Sequence, residues 1–135
     1  MLNVSDPAPN GSSAALPPLE FSCLTVEFGN TTRVSVAGEL DVATAPQLAD
    51  ALHRAEFDAR PIVLDLRRLA FMDCSGLRVI LAAARRAHRP GGRLVVVRGP
   101  AAVARLFALT EVEGEIELVD RPPHWGSALR APLPA

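Results

Sequence analysis

The sequence predicts one α/β domain built on a mixed, mainly parallel sheet with helices packed against it. Three observations predict this class. Strand-like and helix-like runs alternate along most of the 135 residues, the pattern of a sheet crossed by helices. "PIVLDL" and "GGRLVVV" contain nearly unbroken apolar runs, as strands buried on both faces of a parallel sheet require. Two alternating segments joined by "GNTT" read as a hairpin and supply an antiparallel element. With 49% hydrophobic residues, the chain can bury a real core but is too short for two domains.

Residues 1–19, "MLNVSDPAPNGSSAALPPL", have few large apolar side chains to offset the entropy of ordering and read as a flexible tail. From Phe21, Ser22, Leu24, Val26 and Phe28 alternate with Cys23, Thr25 and Glu27, and beyond the turn Val34 and Val36 alternate with Ser35 and Ala37. These are two strands, with Cys23 on the face opposite Leu24 and Val26. "GELD", 38–41, ends the second strand. Thr44 with Gln47 forms a capping-box pattern ahead of Leu48, Ala51, Leu52 and Ala55, an amphipathic helix of about three turns. Residues 61–66 form a buried strand, and Leu77, Ile80, Leu81 and Ala84 stand at helical spacing between Ser75 and His88, with Arg78, Arg85 and Arg89 on another face. After the next strand, "GPAAVARLFALT" begins a helix with Pro100 where a missing amide hydrogen costs little, and Val103, Leu106 and Phe107 make its buried stripe. "EIELV", 115–119, is the last strand; residues 122–135 contain too many prolines for more than a turn or two of helix. The predicted order is β-β-α-β-α-β-α-β, with right-handed crossovers.

Bulk properties exclude several functions. Fourteen basic residues, all arginine, oppose fifteen acidic ones for a formal net charge of -1, which provides no field for nucleic acid or an anionic membrane. Cys23 and Cys74 are too few for a disulfide framework and lack zinc-ligand spacing. Neither a metal nor a cofactor is expected. There is no export signal and no run approaching the ~18 apolar residues of a membrane span, so the expected location is cytoplasmic.

The chemistry concentrates in "LAFMDCSGLRVILAAA", 69–84, where an apolar run stops at Asp73, Cys74, Ser75 and Gly76 before the next begins. Functional groups of open α/β sheets gather at such strand-to-helix junctions. The first-turn amides favour a carboxylate, thiolate or phosphate there. Asp73 or Ser75 can equally serve as a helix cap, and Gly76 as a small residue permitting close packing. Catalysis is not expected. Arg78 lies already inside the helix, too close for a phosphate-cradling loop after Cys74, and nothing in the sequence brings His53, His88 or His124 to that thiol.

Taken together, "VAGELDVATAPQL", "IVLDLRRLAFMDCSGLRVILAAAR", "GGRLVVV" and "AVARLFALTEVEG" closely resemble the sulfate-transporter and anti-sigma-factor-antagonist (STAS) domain family, over about residues 22–120. The resemblance implies a STAS domain over 20–121, between the tail and the Pro-rich segment. It further implies an anti-sigma factor antagonist of bacterial partner switching. Its partner would be an anti-sigma factor with a histidine-kinase-like ATPase fold, which phosphorylates the antagonist; a phosphatase would reset it. By the same resemblance Asp41, Asp73, Cys74, Ser75, Gly76, Leu77 and Arg78 belong to the partner-binding region. The family's phospho-acceptor directly follows the aspartate, where this chain has Cys74; Ser75 matches the second hydroxyl position. Successive helical side chains diverge by about 100°, so Ser75 need not reach where its neighbour would. Three readings of Cys74 stay open: an inert replacement, a change that leaves Ser75 as acceptor, or a redox-controlled thiol. A Cys23–Cys74 disulfide requires Cα atoms within about 7 Å. The alternative function for such a fold is a STAS module for small-molecule sensing or scaffolding.

Overall fold

The computed structural model describes residues 20–58 and 60–123. The predicted tail, 1–19, and the Pro-rich segment from His124 onward lie outside the described residues. The elements are β1 (Ser22–Phe28), β2 (Thr31–Leu40), α1 (Ala45–Glu56), β3 (Ile62–Met72), α2 (Cys74–Arg86), β4 (Leu94–Val97), α3 (Ala101–Leu109) and β5 (Glu117–Val119). This is the predicted order.

The strands form one sheet in chain order, β1-β2-β3-β4-β5. β1 and β2 are antiparallel and the later pairs parallel. The hairpin turns on Gly29 and Asn30, with Gly29 at φ 63°, the backbone a tight hairpin takes at its first turn position. When strand order follows chain order, right-handed crossovers bring the helices to one face. The core agrees: Val34 and Val36 of β2, Leu64 and Leu66 of β3 and Val96 of β4 join one buried cluster with side chains from all three helices. Arg33, Ser35, Val63, Asp65, Val95 and Val97 alternate with these and point to the opposite face. On β1, Cys23 is half-buried against the core, and Leu24, Val26 and Phe28 point away from it into solvent.

Several local expectations change. Thr44 does stand at the α1 N-cap, but the capping box does not form. Its hydroxyl instead donates to the Glu39 carbonyl (2.8 Å) and accepts from the Asp41 amide (2.9 Å). β3 continues six residues beyond Leu66 to Met72, and α2 starts at Cys74 and ends at Arg86. Pro100 is the α3 N-cap itself, its carbonyl accepting from the Val103 and Ala104 amides. β5 is confined to Glu117–Val119.

Asp65 is the one buried acid of the described core. Burial alone would raise its carboxyl, but hydrogen bonds from the Arg67 side chain and backbone, with the charges of Arg67 and Arg33, more than offset that and hold it below its ordinary value. Arg67 Nη2 lies 2.7 Å from Asp65 Oδ2. A carboxyl whose pKa is depressed by folding stabilises above its unfolded pKa of about 3.9, and that contribution fades as pH falls through the lower folded value. Arg67→Ala strands the carboxylate, and because Arg67 is half exposed the expected cost is about 1–2 kcal/mol at neutral pH. Denaturant titrations of both proteins should show this difference shrinking below about pH 4; a pH-independent difference would contradict the assignment.

Candidate functional site

The site arises where β2 and β3 end together. Leu40 and Met72 are register partners, and the Asp73 amide donates to the Leu40 carbonyl at 3.1 Å. Asp41 and Asp73 therefore leave neighbouring strands side by side at the carboxyl edge of the sheet, about 4.8 Å being the spacing between strands. Two irregularities, between Ser35 and Ala37 and between Gly38 and Glu39, create this alignment. They advance β3 by two residues relative to β2; an unbroken ladder would set Asp41 opposite Phe71 instead. Gly38, at φ 93°, supplies left-handed backbone beside the second irregularity.

Both acids are half-buried; Asp73 is the N-cap of α2, and Asp41 opens the turn that leads into α1. Asp41 Oδ1 accepts from the amides of Ala43 (3.0 Å) and Thr44 (3.2 Å). Asp73 Oδ1 accepts from the amides of Ser75 (2.8 Å) and Gly76 (3.4 Å). Asp73, rather than Ser75, is thus the cap of α2, its carboxylate satisfying amides that the helix start leaves unpaired, whereas the Asp41 carboxylate closes the turn ahead of α1. The negative charge of Asp73 is matched to the positive end of the α2 dipole.

The other residues of the motif divide by exposure. Cys74 and Arg78 are exposed, Ser75 is half-buried, and Gly76 and Leu77 are buried. A Cβ on Gly76 would come within 2.6 Å of Leu40 Cγ and Cδ2 and 2.9 Å of Met72 Cγ. Gly76 and Leu77 therefore set how closely α2 lies on the strand ends, whereas Cys74 and Arg78 face outward one turn apart. Two exposed apolar side chains that the motif did not single out flank the acids: Val42, between Asp41 and α1, and Phe71, the register partner of Glu39. Phe71 carried a readable signal, an aromatic ring just before the acid; Val42 had only its place beside Asp41.

Cys23 does not meet Cys74. Its register partner is Val36, four residues and roughly 13 Å of strand before Leu40, beyond the ~7 Å that a disulfide spans. Both thiols are free. Burial pushes the Cys23 thiol up, only partly opposed by Arg54. His53 is in the last turn of α1, and His88 follows the far end of α2 from Cys74. Among the described residues no group of three or more His, Cys, Asp or Glu is placed to hold a metal ion. Among them, no helix is long and apolar enough to cross a membrane.

Residues 23–120 match the family described as "Mlab, STAS domain". The chain is 28% identical over 89 residues to the anti-sigma-B factor antagonist of Bacillus subtilis, covering 66% of this chain and 82% of that one. It is 31% identical over 78 residues to the anti-sigma-B factor antagonist of Staphylococcus aureus, covering 57% and 72%. Among solved structures, an anti-sigma factor antagonist from Mycobacterium paratuberculosis superposes with TM-score 0.73 at 26% identity, over 82% of this chain and 95% of that chain. Unphosphorylated SpoIIAA, at 23% identity and TM-score 0.60 over 76% and 90% of the two chains, shares the fold.

Proposed function

The chain belongs to the STAS domain family, and on that premise we propose that it is an anti-sigma factor antagonist that binds an anti-sigma factor kinase and so releases a sigma factor. The observation that carries this proposal is the pairing of Asp41 and Asp73 at adjoining strand ends, with Cys74 and Arg78 exposed beside them. Two carboxylates held by backbone amides form a preorganised acidic surface, suited to a partner that presents cations. Val42 and Phe71 add the apolar contact area that anchors protein interfaces. Relatives named as anti-sigma-B factor antagonists support the role.

Phosphorylation would place about -1.5 to -2 charges beside two carboxylates and repel a partner built to accept acids. In this chain the exposed position after Asp73 is a thiol, and the neighbouring hydroxyl of Ser75 is half-buried on a residue whose amide is engaged by the cap. Those features favour Cys74 as an inert replacement in an antagonist that remains competent to bind. Its distance from Cys23 removes the intramolecular disulfide as a control.

The test is incubation with the candidate anti-sigma kinase and ATP, followed by chromatography and mass spectrometry. The expected result is co-elution of unmodified protein with the kinase, together with phosphate at position 74 in a Cys74→Ser variant. Phosphate on Ser75 of the unaltered chain would overturn the inert reading, and failure of the folded protein to bind would overturn the role itself.

A further inference from the structure

β1 is, among the described residues, an edge strand of a kind that monomeric proteins usually guard against. Among the described residues no strand pairs with its outer side. Its register with β2 is unbroken from Ser22 to Phe28, so no bulge twists the edge away, and it contains neither proline nor lysine. Its single charge is Glu27. Leu24, Val26 and Phe28 are 62%, 45% and 56% exposed and share the face away from the helices. The Arg33 guanidinium lies over the Phe28 ring, 5.4 Å from its centre, and supports the ring on that face.

We propose that this edge pairs antiparallel with the β1 edge of a second copy, about a twofold axis at Val26. The strand is self-complementary in that register. Val26 meets the partner's Val26, and Leu24 meets the partner's Phe28, so six apolar side chains form one strip across the joint. On the other face Thr25 meets the partner's Glu27, whose carboxylate lies 3.2 Å from Arg60 Nη1 of its own chain, so neither acid faces its copy. An axis one residue earlier, at Thr25, would keep Leu24 against the partner's Val26 but set Phe28 against the partner's Ser22, shortening the strip to four apolar side chains. The contact uses seven residues a side, against about 20–30 for a stable interface, so the dimer is weak and concentration-dependent. Residues 22–28 pair with 31–37, short of Leu40. Pairing therefore leaves the Asp41 and Asp73 surface open and is independent of anti-sigma factor binding.

The experiment uses the full chain. Sedimentation equilibrium should show a monomer–dimer equilibrium that Val26→Lys weakens at least tenfold, while that exposed substitution leaves the thermal midpoint unchanged. In a Cys23→Ser, Cys74→Ser background, oxidised glutathione should cross-link Val26→Cys to itself and should join Leu24→Cys to Phe28→Cys only when the two are mixed. Thr25→Cys should not cross-link with comparable yield. A monomer at every concentration, or β1 amides protected from exchange independently of concentration because another segment of the chain covers the edge, would overturn the proposal. Equal cross-linking of Thr25→Cys would overturn the register.

Discussion

Gly76→Ala is expected to lower the thermal midpoint of the domain by about 10 °C, corresponding to a loss of roughly 2 kcal/mol. Elsewhere in a helix the same exchange stabilises by about 0.5–1 kcal/mol, so the sign isolates the packing. The added methyl would lie 2.6 Å from Leu40, which is fully buried, and 2.9 Å from Met72 Cγ. The conflicting Leu40 Cγ is near the backbone and cannot swing aside, so α2 must lift from the strand ends. Gly76→Val, larger and β-branched, should cost more. Circular dichroism melts measure both effects; an unchanged or higher midpoint for Gly76→Ala would mean that the helix does not sit this close.

The second large effect concerns Asp73, whose carboxylate caps α2 and also presents charge. Asn caps a helix about as well as Asp. Asp73→Asn should therefore leave stability nearly unchanged yet weaken binding to the anti-sigma factor about tenfold, or 1.4 kcal/mol. Asp73→Lys removes the cap, for about 1 kcal/mol of stability, and reverses the charge at the interface. Its binding should fall by 100-fold or more, about 2.7 kcal/mol. Isothermal titration alongside denaturant melts separates the two roles of the residue. Equal stability losses with unchanged affinity would make Asp73 a cap and nothing more.

All eight elements could be read from the chain because each switch between apolar periods coincides with glycine, proline or an acid. Alternation shows which residues share a face, but not which face is covered. Leu24, Val26 and Phe28 look like a core stripe by pattern, yet they face solvent because the helices cross the other side of the sheet. The capping box at Thr44 failed for a similar reason. Asp41, brought to the helix start by the end of β2, accepts from the Ala43 and Thr44 amides, and the threonine hydroxyl turns back to Glu39. "GELD" and "MDCSGL" were visible as motifs. Their adjacency depends on two shifts in the β2–β3 ladder that leave no apolar signature, and those shifts are what set Asp41 beside Asp73.

In the proposed role this acidic edge displaces a sigma factor from its anti-sigma factor. The most direct measurement is titration of a preformed sigma–anti-sigma complex, with the sigma factor fluorescently labelled and its release followed by anisotropy. Stoichiometric release by the unaltered chain is expected, with or without ATP, and markedly weaker release by Asp41→Asn, Asp73→Asn protein of unchanged stability. Retention of the sigma factor in the complex at saturating concentrations of folded chain would contradict the proposed role.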